Sequence, residues 1–228
     1  MNTTHNLNLL KEYNTNIIEL LLKNTRVVTK QEVETNILRL IEQWKAERDE
    51  SRDLYVNEPT YYKGTGDDVG RDRPYTLFKE HLPEHTLITS SVRPTDGCEV
   101  LFINEWSLSG CTAAVAFEEV LYRSGLKDIK YTCIFNVSTK ATESTLNRLI
   151  ESDQYDNIQL KIYYDSIIGP LDDILKGEGI ADSEIISFNK QVNPDTDCGS
   201  YPIVSEYKIP NQFGSYPVIY EKVWSVAK

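Results

Sequence analysis

The sequence predicts an α/β fold in three layers, with a mainly parallel sheet and a helical hairpin ahead of it. Three observations carry that prediction. Residues 100–103, VLFI, are continuously apolar, the pattern of a strand covered on both faces rather than one. Residues 113–124, AAVAFEEVLYRS, then bring Ala116, Phe117, Val120 and Leu121 to one side of a helix, with Gly125 where a C-cap glycine belongs. Tyr131–Phe135 is again apolar. Strand, helix and strand thus follow within residues 100–135, the length of a right-handed parallel crossover.

The flanking elements extend this pattern in both directions. Leu7, Leu10, Ile17 and Leu21 recur at helical spacing, and Thr29-Lys30-Gln31-Glu32 is a capping box opening a second helix that carries Val33, Ile37, Leu40, Ile41 and Trp44 on one face. Two apolar faces need cover, so residues 1–53 are expected to form a helical hairpin packed on the body of the protein or on a partner chain. The α/β domain is expected over 54–228. Within it a short helix is predicted at Tyr75–Leu82 and a strand at Thr86–Thr89. Downstream the pattern predicts a helix at Glu143–Ser152, a strand at Ile158–Tyr164, a helix at Ile167–Lys176 and strands at Glu184–Phe188 and Ile203–Tyr207. The Pro-, Gly- and Tyr-rich end carries no further assignment.

Composition narrows the function classes. A formal net charge of −11, with no basic run, opposes nucleic-acid binding, which draws on clustered Lys and Arg. The four cysteines, Cys98, Cys111, Cys133 and Cys198, lack the spacing of a zinc site or a disulfide framework. No apolar stretch reaches the roughly 20 residues of a membrane span, and MNTTHNLNLL has no basic start followed by an apolar core, so a cytoplasmic location is expected. His81 and His85 stand four apart, but Pro83 breaks the helix that would align them as ligands. There is no GxSxG elbow, P-loop or GxGxxG fingerprint, and Asp67-Asp68 and Asp172-Asp173 read as solvated turns or helix faces.

The segment with chemical content is the turn after residue 103. A parallel strand that ends in Asn104 and Glu105, passes through Ser107, Ser109 and Gly110 and enters a helix at Thr112 aims several backbone N–H groups at one point, where the helix dipole also favours an anion. Gly110 permits close backbone approach, and the Ser109 and Thr112 hydroxyls add donors without bulk. From spacing alone a phosphate site and an ordinary strand-to-helix turn with an N-cap fit equally well.

The thirteen residues VLFINEWSLSGCT (100–112) resemble the PRPP-binding signature of type I phosphoribosyltransferases: four apolar strand residues, two acidic residues and a small-residue loop. The following AAVAFEEVLYRSGLKDIKYTCIFN is similar to that family's helix, glycine stop and next strand. The resemblance implies a sheet of the type I phosphoribosyltransferase kind and a ligand that is PRPP or a related ribose 5-phosphate compound. It places the 5-phosphate on Ser107, Leu108, Ser109, Gly110, Cys111 and Thr112, and Asn104 and Glu105 beside the ribose hydroxyls. It also implies Mg²⁺, bound mainly through the substrate with Glu105 as the protein's contribution, and transfer of the phosphoribosyl group to a nitrogenous acceptor.

The first of the two strand-end positions is normally acidic, and here it is Asn104. The family's pyrophosphate loop has its counterpart in Tyr62-Lys63-Gly64-Thr65-Gly66, with Lys63 on the departing pyrophosphate, and its mobile catalytic loop is shortened to 90–99, where Arg93 is the cation. SEYKIPN (205–211) is similar to a Lys-Ile-Pro-Asp/Asn stretch of phosphoribosyltransferase-like domains in microbial conflict systems, which implies that Lys208 returns toward the motif. Two other functions remain open: a binding or regulatory protein that kept the phosphate cradle and lost the chemistry, and an interaction protein, as a homo-oligomer or with a partner chain, acting through the N-terminal helices.

Overall fold

The structure is a computed structural model and describes residues 14–57, 77–89, 91–124, 126, 128–151, 158–192 and 201–205. The chain forms two compact units, one from residues 1–33 and 168–228 and one from 34–167, so the expected boundary at residue 53 falls inside the second.

The second unit holds a parallel sheet of five strands: β2 (Leu54–Val56), β3 (Thr86–Leu87), β4 (Glu99–Trp106), β5 (Ile129–Ser138) and β6 (Ile158–Ile167), in the spatial order β3-β2-β4-β5-β6. The α/β class and the parallel sheet are therefore as predicted. Two helices, α3 (Cys111–Ser124) and α4 (Lys140–Glu151), make the crossovers from β4 to β5 and from β5 to β6. One sheet face, built from Val100, Phe102, Tyr131, Cys133 and Phe135, packs against Ala113, Ala116, Phe117 and Val120 of α3 and Leu146 of α4. Phe117 and Tyr131 meet edge to face at 4.7 Å, a geometry that adds about 1 kcal/mol to the area buried.

The opposite face is covered by α2 (Lys30–Glu47), whose residues from 34 onward belong to this unit. Ile37, Leu40, Ile41 and Trp44 are buried, as their spacing predicts. At the amino edge of the sheet, Glu99 Oε1 accepts from Trp44 Nε1 and from Thr132 Oγ1, both at 2.8 Å. Lys130 Nζ at 3.4 Å and Arg48 Nε at 3.6 Å balance its charge, so a fully buried carboxylate ties α2 to two strands.

The first unit contains α1 (Thr15–Asn24), β1 (Arg26–Val28), α5 (Leu171–Gly177), α6 (Asp182–Val192) and β7 (Ile203–Ser205), with β1 and β7 paired in parallel. Asn14 caps α1, its side chain accepting from the amides of Asn16 and Ile17. Ile17, Ile18, Leu21, Leu171, Leu175, Ile185, Phe188 and Val204 form the core.

Two expectations change here. Residues 26–28, between the two helices expected to form a hairpin, are a strand paired with β7, and α2 begins in the first unit and passes into the second at residue 34. Glu184–Phe188 belongs to α6 rather than to a strand: Ile185 and Phe188, three apart, are buried while Ile186 is 55% exposed, so a run too short to show its period resolves as helical. Residues 58–76, which include Lys63 and the start of the helix expected at Tyr75, lie outside the described residues, as does Lys208; residues 79–81 of that helix form a single 3-10 turn.

Candidate functional site

The chain leaves β2 for β3 on one side, whereas from β4 it proceeds to β5 and β6 on the other. Ligands of open α/β sheets bind at such a reversal of strand order, outside the carboxyl ends of the strands. The segment 104–112 lies at the carboxyl end of β4, past Leu101, where the pairing with β2 ends.

Three threonines at positions i, i+3 and i+6 fix the shape of this loop. Thr139 Oγ1 donates to the Leu108 carbonyl at 2.5 Å, Thr142 Oγ1 to the Ser107 carbonyl at 2.7 Å and Thr145 Oγ1 to the Ser109 carbonyl at 3.0 Å. The Ser107 amide donates to Val137 O at 2.9 Å, which joins the loop to the end of β5. In a trans peptide the carbonyl and the following N–H point to opposite sides. Pinning three successive carbonyls against α4 therefore turns the amides of Leu108, Ser109 and Gly110 the other way, and among the described residues these amides donate to nothing. The Thr112 and Ala113 amides, in the first turn of α3, have no intrahelical acceptor, and Ser109 Oγ accepts the Cys111 amide at 3.3 Å. Several backbone amides around the start of α3 are thus left without a backbone acceptor among the described residues, donors of the kind that an anion with several oxygens can use.

Gly110 has φ +78°, and a Cβ there would lie 3.0 Å from both Thr142 Cα and Thr145 Cβ. Its backbone meets α4 too closely for a side chain, which is why the loop seats so deeply. Ser107, Leu108 and Gly110 are buried, Ser109 and Thr112 are half-buried and Cys111 is exposed.

The two strand-end residues lie on opposite sheet faces, as period 2 requires. Asn104 Oδ1 accepts the Glu105 amide at 2.9 Å. Glu105 is only 2% exposed and shares its face with Asn136, the neighbouring position on β5, whose Oδ1 accepts from Asn36 Nδ2 of α2 at 2.9 Å. Arg93 is exposed in the segment 91–98, which is turned by the Thr89 amide donating to Val92 O. Among the described residues no group of three or more His, Cys, Asp or Glu is arranged to hold a metal ion.

The loop, Asn104 and Glu105 are thus brought to one strand end, while Lys63 and Lys208 lie outside the described residues. Sequence reasoning missed Thr139, Thr142 and Thr145. Their signal, three hydroxyls at helical spacing just after an apolar strand, is present in STKATEST but reads as capping. It also missed Asn136 and Ser138, buried at the end of β5, whose Nδ2 and Oγ have no partner among the described residues. No family model and no curated protein matches the chain.

Proposed function

We propose that the protein is phosphoribosyltransferase-like and binds PRPP, or a related ribose 5-phosphate compound, in the loop at 107–112. The observation that carries this reading is the threonine-pinned loop, whose amides turn outward at the start of α3. Its place at the carboxyl end of β4, at the strand-order reversal, supports it further. In this reading the amides hold the 5-phosphate and need no reorganisation when it arrives. The ribose lies across the end of β4, and Lys63, Arg93 and Lys208 supply charge to the pyrophosphate and acceptor side.

Mg²⁺ enters as the counter-ion of the ligand's pyrophosphate. Glu105, at the end of β4, is the carboxylate that this reading assigns to it. Transfer to a nitrogenous acceptor is the activity that follows if the departing pyrophosphate is stabilised. The second reading, binding without turnover, is favoured by Asn104 in the place of an acid and by the short segment 90–99.

The test is a thermal shift with PRPP, ribose 5-phosphate and nucleoside monophosphates, with and without Mg²⁺. Ligand at a hundred times its Kd stabilises by about 2.7 kcal/mol, roughly 5–10 °C for a chain of this size. Cys111→Asp is the control: a carboxylate at the exposed first position of α3 suits the helix but repels a phosphate. It should keep the unliganded Tm and lose the shift. Absence of a shift with every ribose phosphate sinks the proposal, and pyrophosphate release with an acceptor base separates the two readings.

A further inference from the structure

Strand β6 closes one side of the sheet, and among the described residues it pairs only with β5. A ten-residue strand at the edge of a sheet is a template for another strand unless something blunts it. The charges along this edge have a pattern that an edge guard does not require. On the sheet face beneath α2, Lys161 and Asp165 stand two residues to either side of Tyr163. Lys161 pairs with Glu47, and Asp165 Oδ1 accepts from Arg39 Nη2 at 2.7 Å. Arg39 and Glu47 in turn stand four residues to either side of Gln43. Two residues of strand span about 6.6 Å and four residues of helix about 6 Å, so the two layers of charge are centred on one line through Tyr163 and Gln43. Along each layer the sign reverses across that line.

Such a pattern is its own complement under a two-fold rotation. We propose that β6 and the adjoining rim of α2 form an isologous interface with a second copy of this chain. The two β6 strands would run antiparallel about Tyr163, joining both sheets into one of ten strands. A two-fold axis perpendicular to the sheet keeps α2 of both copies on the same face. Asp165 then lies opposite Lys161 of the second copy, and Arg39 opposite its Glu47. Each of these four side chains keeps its own-chain partner while it gains a second one across the axis. Directly opposed charges of opposite sign stabilise a strand pair, and like charges destabilise it.

The pattern allows a test that preserves every ion pair within the chain. Arg39→Glu with Asp165→Lys swaps one pair and sets like charges across the axis at both layers. Glu47→Lys with Lys161→Glu does the same with the signs reversed. Sedimentation and light scattering of the full chain should show a dimer for the wild type that weakens with salt. Each double variant should have its self-association weakened roughly tenfold or more, with its Tm retained. An equimolar mixture of the two variants should regain the dimer, because each then meets its complement. A monomeric wild type at high concentration overturns the proposal, and so does a double variant that still dimerises. Two monomeric variants that fail to pair when mixed overturn it as well, since the charges then do not face one another.

Discussion

Replacing Gly110 by alanine separates the two reasons a glycine stands in the loop. The first is conformational: at φ +78° an L side chain costs about 1–2 kcal/mol. The second is crowding. An alanine Cβ would sit 3.0 Å from Thr142 Cα and 3.2 Å from Thr142 O, which are backbone atoms of a packed helix that cannot rotate away. Overpacking of that kind costs about 1–3 kcal/mol. The sum is about 3 kcal/mol, or roughly 6–12 °C in Tm for a chain of this length. Gly97 supplies the internal control. Its φ is +79°, yet nothing lies within 4 Å of a Cβ built there, so Gly97→Ala carries only the conformational part. Thermal and urea unfolding of both variants give the difference directly. If Gly110→Ala is no more destabilising than Gly97→Ala, the loop does not seat against α4 as described, and the outward turn of its amides loses its support.

Removing the Thr142 hydroxyl tests the same seating from the other side. Thr142→Val keeps the volume but leaves the buried Ser107 carbonyl without its 2.7 Å donor, at a cost of about 1–3 kcal/mol; it should also weaken ribose-phosphate binding in calorimetry, whereas Thr142→Ser should restore both. Glu99→Gln strips the charge that balances Lys130 and Arg48 and should destabilise by about 3 kcal/mol; a loss that vanishes in about 1 M salt would show the group to be solvent-screened instead. Burial pushes the Cys98 thiol up to about 11 and the Cys133 thiol higher still, while Cys111 is exposed. Iodoacetamide at neutral pH should therefore mark Cys111 and spare the other two in peptide mass spectra, and a bound ribose phosphate should protect Cys111. Because both folded-state values lie above the unfolded thiol's value of about 8.5, their contribution to stability is intact below that pH and lost as pH climbs through about 11; Cys98→Ala should flatten that alkaline decline.

The parts of the fold that were legible were those whose pattern is long compared with its period. Residues 100–135 show a whole strand, helix and strand, and α2 shows its buried face over five positions, so each is recoverable from local sequence. Short elements are not. β1 and β2 have three residues each and form because a distant strand offers a ladder, which no window around residue 27 or 55 contains. EIISF in α6 is apolar enough for a strand and becomes helical because Leu171 and Leu175, on the preceding helix, accept Ile185 and Phe188 at a spacing of three.

The site divides along the same line. The strand end and the small-residue loop are contiguous, so 104–112 could be picked out from sequence. What gives that loop its direction lies some thirty residues later, in hydroxyls whose local reading is an N-cap and a solvated helix turn. The distinction bears on function. A run of Ser, Gly and Thr has backbone amides in any conformation, and an anion is held only when several of them face one point. Under the proposed reading that convergence would depend on the three carbonyls being drawn to the opposite side, so Thr139, Thr142 and Thr145 would matter to phosphate binding as much as the residues that would touch the ligand. A chain that kept 107–112 but replaced those threonines by alanine should retain the sequence motif and lose the cradle.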